Sequence, residues 1–408
     1  MKIAVIGAGA SGMFAAVQAA ENGAQVCIYE HMDEAGKKLL MTGNGKCNLT
    51  NLKIASEDYY SDSDARNLRW QILSAFMPEN TVSWFEKHGL MVRNRNDYIY
   101  PYCEQAAVVR EVLLRACKQA GVKIVYGYDC YRSLEVNADG RFRIGEEYYD
   151  RLILACGGKS ARHTGSDGSG YELAKRFGHT VVAPKPALVQ LHTNLPEFKR
   201  MAGVRAQGSI TFGSRTQSGE IQFTEYGISG IAVFQLSRHA VRSLAEEKTQ
   251  QIEVSLDLCP DITREKLQEI LIDQISQCRK ASLFEALAGT VHTKILEYIL
   301  FRLRLEKCML QEVAGAPEKR KETVNQLVNI LKDMRIPIVG SHKLDVAQVT
   351  QGGIRMDEVT GSLESVHQKG LFFAGEMLDV DGICGGYNLQ WAWASGYAAA
   401  QGCLCTEE

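Results

Sequence analysis

The hydrophobic pattern begins at the first residues. Ile3-Ala4-Val5-Ile6 is an apolar run of strand length. Six small residues follow, Gly7 to Gly12, and then an alanine-rich helical stretch, Met13 to Asn22, which Gly23 ends. Gln25 to Tyr29 reads as a second strand, closing on Glu30. Leu68 to His88 reads as helical pieces broken at Pro78. Glu104 to Ala120 is a stronger helix, with Ala107, Val108, Val112, Leu113 and Ala116 on one side. From Val122 to Ala155 the pattern changes to short strands, VKIVYGY, YRSLEVN, RFRIG and RLILA, with a hairpin turn at Asn137-Ala138-Asp139-Gly140. They read as an antiparallel meander leading to a strand that runs into Cys156-Gly157-Gly158. Thr164 to Tyr171 is a glycine loop capping a helix that begins near Gly170.

The pattern shifts again after Pro184-Lys185-Pro186. Val189 to Val254 holds short β-type segments and many glycines. Ile262 to Met334 has helical spacing, as in Leu267, Ile270, Leu271 and Ile275, and again in Val324, Leu327, Val328 and Leu331. Pro337 returns the chain to strands. Gly370 to Glu376 reads as one buried strand ending in Gly-Glu, and a helix runs from Leu389 to Ala400. The expected organisation is α/β: residues 1–185 form the first part of a nucleotide-binding domain, 186–261 an inserted β-rich domain, 262–336 an inserted helical domain, and 337–408 the return strands and the second part of the first domain.

The order strand, glycine turn, helix, strand, acid is that of a dinucleotide-binding fingerprint. Gly7 allows the tight turn, Gly9 lets a pyrophosphate approach the backbone, and Gly12 lets the helix pack on the strand. Ala10 and Ser11 stand at the helix N-terminus, whose free N–H groups and dipole hold phosphate charge. Glu30, with His31 beside it, is placed to accept hydrogen bonds from a ribose. An acid there favours the unphosphorylated adenosine ribose of FAD or NAD. The run Glu34 to Asn51 is too irregular for a helix and reads as a loop folded over the cofactor. Thr42, Gly43, Asn44 and Gly45 present backbone groups in it, and Lys37 and Lys38 face pyrophosphate. Cys156 and Gly157 form a further turn of the site. Gly375 and Glu376 are placed for a polyol chain, here the flavin ribityl. Asp379, Gly386, Tyr387, Asn388 and Leu389 lead into the last helix, whose N-terminal dipole would favour an anionic reduced flavin.

Composition narrows the class. The chain has 408 residues, 45% hydrophobic and 23% charged, enough for two or three domains of ordinary globular character. A net charge of −2 gives no general attraction to nucleic acid or anionic membrane. The opening strand leaves no room for a basic leader, and no apolar run spans a bilayer, so a cytoplasmic protein is expected. Twelve cysteines lack metal-finger spacing and read as reduced, mostly buried thiols, with no metal expected. Cys47 and Cys384 lie in cofactor loops, where a redox pair is the alternative to buried thiols. Cys403 to Glu408 reads as a short acidic tail.

GAGASG, TGNGKCNLTN, FTEYGISG, VTQGG and GEMLDVDGICGGYNLQWAWASG resemble the motifs of the bacterial BaiN-like (YhiN-type) FAD-dependent oxidoreductases, and the resemblance covers the whole chain. It implies a Rossmann-like FAD-binding domain of the two-dinucleotide flavoprotein type, made from both chain ends, with a small β-barrel domain and a helical domain inserted. The family includes 3-dehydro-bile acid reductases and aminoacetone oxidase. Glu225 stands where the family often has His, Ile231 and Gln190 where it often has Pro. No histidine role at position 225 can therefore be carried over.

The functional expectation is an FAD oxidoreductase moving hydride through flavin N5, with NADH or NADPH as transient donor and an enone such as a 3-oxo-steroid as small-molecule substrate. An amine oxidase producing peroxide is the first alternative. A flavin-containing RNA- or partner-binding protein is the second. Nucleic acid and membrane partners are not expected, and no oligomeric state is read. Tyr387 and Asn388 are candidates for catalysis and equally for structural hydrogen bonding.

Overall fold

The computed structural model describes residues 1–63, 65–246, 249–277, 281–314 and 316–405. Of the tail read from Cys403 to Glu408, residues 406–408 lie outside them, while Cys403 and Leu404 end the last helix. The chain divides into two compact units, Met1–Pro186 with Lys343–Glu408, and Ala187–His342.

The first unit is built on a five-stranded parallel sheet. Its order is Leu371–Phe373, Arg151–Leu154, β1 (Lys2–Ile6), β2 (Gln25–Tyr29) and Lys123–Val125. The strand interiors are buried on both faces, which is why they read as continuous apolar runs. Pairing sets Ile3 opposite Arg151 and Val26, and Leu154 opposite Phe373. Strands from both ends of the chain thus share one sheet. The helix α1 (Ala10–Glu21) starts at Ala10, three residues before the apolar pattern predicts. The C-terminal helix Tyr387–Leu404 packs beside it, and Phe14 of α1 is enclosed by Phe76, Trp84 and Trp393 at centroid distances of 4.8–5.6 Å.

Three local expectations are corrected here. VKIVYGY belongs to the parallel sheet, where Ile124 pairs with Ile28; the meander is only Leu134–Val136, Phe142–Ile144 and Glu147–Tyr149. An edge strand of a parallel sheet and a meander strand share one short apolar signal, so the pattern could not separate them. The run after Glu34 is not all loop, because Lys37–Met41 is a short helix. Pro78 does not merely break a helix: it opens Pro78–Lys87 at the first helical position, where its missing N–H costs nothing.

The second unit is a seven-stranded antiparallel sheet. Its order is Met334–Ile338, Ile252–Asp257, Arg205–Phe212, Arg215–Phe223, Gly227–Ser229, Leu191–His192 and Gly340–Ser341. The two outermost strands, Met334–Ile338 and Gly340–Ser341, are separated in sequence by Val339 alone. The sheet must therefore curl until its edges nearly meet, which gives it barrel character. Among the described residues, five helices, from Arg264–Gln277 to Pro317–Lys332, lie in sequence between the neighbouring strands Ile252–Asp257 and Met334–Ile338. The β and helical insertions accordingly fall in one compact unit, and the return to the first unit comes at Lys343 rather than Pro337. The β-rich reading of Val189 to Val254 missed the helix Ile231–Glu246, whose buried Ala232, Val233, Leu236 and Ala240 have helical spacing. Among the described residues no helix is long and apolar enough to cross a membrane.

Candidate functional site

The site lies at the C-terminal ends of β1 and β2. Gly7 has φ +105°, and a Cβ there would stand 2.4 Å from the carbonyl oxygen of Ala155; a Cβ on Gly12 would stand 2.0 Å from that of Gly7. Both glycines are demanded by backbone packing. Gly9 differs: a Cβ there meets nothing within 4 Å. It caps α1 without a side-chain hydrogen bond, and the first turn carries no acid. Ala10 and Ser11 open that turn. A helix N-terminus facing open space, with no acid in its own first turn, fits a pyrophosphate.

Glu30 follows β2 and is 8% exposed. One carboxylate oxygen accepts the Ala8 N–H at 2.7 Å and the other the Met32 N–H at 2.8 Å. The backbone fixes this carboxylate beside the turn, while each oxygen keeps a lone pair for a ribose hydroxyl. Ile6, Gly7, Tyr29, His31, Tyr128 and Cys156 line a small cavity there. His31 is exposed. Cys156 is half-buried, and burial pushes its thiol up to about 12. Gly157, with φ +74°, is approached by the Ser166 hydroxyl.

The second half of the site joins distant segments. The Gly375 N–H donates to Ser395 Oγ at 2.9 Å, and its carbonyl accepts Trp391 Nε1–H at 3.1 Å. A Cβ on Gly375 would lie 2.4 Å from Ser11 Oγ, so the two ends of the chain meet at this point. Glu376 does not end a strand; it lies in the 3₁₀ turn Gly375–Met377. Its carboxylate accepts from Lys38 Nζ at 2.5 Å, Ser160 Oγ at 2.9 Å and the Thr350 N–H at 2.8 Å. Lys38 also reaches Ser160 at 2.6 Å, and Lys37 pairs with Asp33 at 2.5 Å. The two lysines expected at a phosphate are thus both held by carboxylates. Thr42 turns its hydroxyl back to the Leu39 carbonyl, while Gly43 and Asn44 take left-handed conformations beside the exposed Gly45.

Asp379 is fully buried and organises the loop before the helix Arg66–Ala75. One oxygen accepts from Ser61 Oγ, the Asp62 N–H and Ser63 Oγ at 2.9, 2.8 and 2.5 Å. The other oxygen has no protein partner, and burial raises the carboxyl pKa. Gly386 caps the C-terminal helix at φ +97°, against the backbone of Thr50 and the side-chain oxygen of Asn48. That Asn48 oxygen is also buried without a partner. Asn388 closes its own loop: Oδ1 accepts the Gly382 N–H at 2.8 Å and Nδ2 donates to the Gly382 carbonyl at 2.9 Å. Tyr387 is 7% exposed and stands edge-on to Tyr59, and burial raises its hydroxyl pKa. Leu389 sits, part-buried, in the same first turn. Cys47 is fully buried with its thiol pushed up to about 12, which is an inert form; burial raises Cys384 as well.

Sequence reading did not single out Asn48, Ser160 or Thr350. Asn48 and Thr350 sit inside the quoted stretches TGNGKCNLTN and VTQGG, and Ser160 follows the turn after Cys156, so proximity to glycine turns was the available signal. An open helix N-terminus, a carboxylate fixed by two backbone N–H groups and two orphaned buried acceptors fit an adenine dinucleotide with a flavin end.

A family model described as the HI0933-like protein Rossmann domain matches residues 1–402. The chain belongs to this family. A relative from Clostridium scindens, named 3-dehydro-bile acid delta(4,6)-reductase, is 39% identical over 414 residues, covering 98% of each chain. A ribosomal RNA dihydrouridine synthase from Haemophilus influenzae is 30% identical, covering 97% of this chain and 96% of that one. Among solved structures, a 3-ketosteroid delta1-dehydrogenase from Sterolibacterium denitrificans aligns over 98% of both chains with a TM-score of 0.50 at 11% identity, a likeness of fold alone. Within the HI0933-like family, with this Rossmann site, the chain is an FAD-dependent oxidoreductase.

Proposed function

We propose that this chain reduces a carbon–carbon double bond conjugated to a carbonyl, with a 3-oxo-steroid or bile acid as substrate class and NADH or NADPH as donor. The observation that carries the reading is end-to-end similarity to a 3-dehydro-bile acid delta(4,6)-reductase. The more distant relatives named ribosomal RNA dihydrouridine synthases support the same bond chemistry. Saturating a uracil ring adds hydride to the carbon β to a carbonyl and a proton to the α carbon; saturating a 3-oxo-Δ4,6 steroid is the same conjugate addition, with hydride at the β or the conjugated δ carbon and the proton at the adjacent α or γ carbon. FAD, when bound, supplies the hydride transfer.

The protein's own part is position and electrostatics. Glu30, Gly9 and the first turn of α1 anchor the adenosine and pyrophosphate. Glu376, held by Lys38, Ser160 and Thr350, lies where the two chain ends meet and serves the ribityl. The N-terminus of Tyr387–Leu404 carries no first-turn acid, so its dipole favours negative charge beside it. Burial keeps the Tyr387 phenol protonated, which makes it a hydrogen-bond donor rather than a base. The single dinucleotide fingerprint leaves NAD(P)H to dock transiently.

An RNA substrate is the second reading, on the dihydrouridine synthase relatives. The net charge of −2 gives no general attraction to a phosphate backbone. The test is to reduce the flavoprotein anaerobically with NADH or NADPH. A 3-oxo-Δ4,6 steroid, a uridine-rich ribosomal RNA fragment, or air is then added. Fast reoxidation by the steroid, with slow reoxidation by air, is the expected result. Fast reoxidation by RNA alone moves the substrate to nucleic acid. Rapid peroxide formation with aminoacetone as sole donor, and no response to the enone, makes the chain an amine oxidase.

A further inference from the structure

His179 lies just past the helix Ser169–Arg176 and is 3% exposed. Glu358 ends the 3₁₀ turn Met356–Glu358, and His367 precedes the strand Leu371–Phe373. His179 Nδ1 is 3.3 Å from Glu358 Oε2, yet that nitrogen has no hydrogen-bond partner. The two atoms are close without being aligned for an N–H to point from one to the other. His367 Nε2 is 3.7 Å from the same oxygen, and all three residues bring a ligand atom within 4.8 Å of one another. Ligands bound at about 2.0–2.1 Å around a tetrahedral ion stand roughly 3.3 Å apart along each edge. The spacing and misalignment of Nδ1 and Oε2 suit a common third point better than a bond to each other.

We propose that His179, Glu358 and His367 bind one divalent metal ion of the zinc class, at a site separate from the flavin site. The surroundings are those a metal site needs. His179 Nε2 lies 2.6 Å from Ser365 Oγ, which also accepts the His367 and Gln368 N–H groups at 3.1 and 2.9 Å; a metal on Nδ1 requires Nε2–H to donate to that oxygen. The Thr180 N–H holds Glu358 Oε2 at 2.7 Å. The His179 ring is set edge-on against Phe373, with centroids 4.6 Å apart. His367, 39% exposed at its side chain, supplies the third ligand and leaves a fourth position to water. Two imidazoles and one carboxylate suit zinc better than magnesium or calcium. The ion would tie the segment before Pro186 to the segment after Lys343 within the first unit.

The test uses full-length flavoprotein stripped with a chelator and titrated with zinc chloride, with calorimetry and elemental analysis as readouts. Cobalt serves as a spectroscopic probe of tetrahedral coordination. One zinc per chain, bound with a dissociation constant at or below about 1 μM and raising Tm, is expected. His367→Ala removes a surface-exposed ligand, so it should fold normally and bind at least about 100-fold more weakly, beyond the 10- to 100-fold that loss of an outer-shell partner alone costs. Glu358→Gln should weaken binding too. Absence of stoichiometric zinc in the wild-type chain, or equal affinity in His367→Ala, overturns the proposal. In that case the Ser365 hydroxyl donates to Nε2, and the Nδ1 proton simply faces Glu358.

Discussion

Replacing Glu30 separates a ribose acid from a strand-end carboxylate. The side chain is 8% exposed, and its oxygens hold the N–H groups of Ala8 and Met32 at 2.7 and 2.8 Å. Glu30→Ala therefore has two consequences. Without FAD it leaves two backbone donors without their acceptor, at about 1–3 kcal/mol for each that water cannot reach. That should lower the apo-protein Tm by about 2–10 °C. With FAD it also removes the acceptor for the ribose, where charge-assisted hydrogen bonds contribute about 1.5–3 kcal/mol. FAD affinity should then fall roughly 10- to 100-fold. Glu30→Gln keeps the shape but offers one oxygen in place of two. Its NH₂ must face either the Ala8 or the Met32 N–H, donor against donor, so it should resemble Ala more than wild type. The assay is titration of apo-protein with FAD, followed by quenching of flavin fluorescence, alongside melting of the apo form. A lower Tm with an unchanged FAD dissociation constant would show that Glu30 only ties Ala8 to Met32, and the ribose assignment would fall.

Gly9→Ala places its methyl in open space, so it should melt within about 1 kcal/mol of wild type while weakening FAD about 10-fold or more; Gly12→Ala, with a Cβ 2.0 Å from the Gly7 carbonyl oxygen, should destabilise the apo-protein itself. Equal effects of the two on apo stability would contradict the assignment of Gly9 to the ligand. Lys38 and Glu376 are 26% and 19% exposed at their side chains, so Lys38→Met should cost about 1–3 kcal/mol, and the double change Lys38→Met with Glu376→Gln should recover part of it. A double-mutant cycle of urea midpoints with no coupling would show the pair to be incidental. Burial lowers His179 to about 4 from its ordinary 6.5, so between these values the unfolded chain holds a proton that the folded chain lacks, and stability falls as pH drops from about 6.5 toward 4. Urea unfolding at several pH values should show a shallower slope in His179→Gln; an unchanged slope refutes the linkage.

Near-neighbour chemistry was legible in the chain alone. The turn from Gly7 to Gly12, the helix after it and Glu30 all lie within thirty residues, and the hydrogen bonds and φ angles they need depend on their own residue types. The helix Ala106–Gln119 was readable for the same reason, since its apolar spacing repeats over several turns. The family motifs extended the reading to the flavin end. Other features depended on which strands lie side by side. Whether Lys123–Val125 joins a parallel sheet or a meander depends on its neighbour β2, ninety-eight positions earlier at Gln25. Lys38 reaches a carboxylate 338 positions away, which redirected it from an expected phosphate contact to Glu376. The helix Ile231–Glu246 was obscured by the glycine-rich strands before it, although its own spacing was regular. The cluster of His179, Glu358 and His367 has no sequence spacing that a motif could show, because its ligands come from three turns of the first unit. A local pattern encodes how a segment satisfies its own backbone and which face it buries. The partner of a charged or ligating side chain is set by the strand order, which only the folded chain supplies.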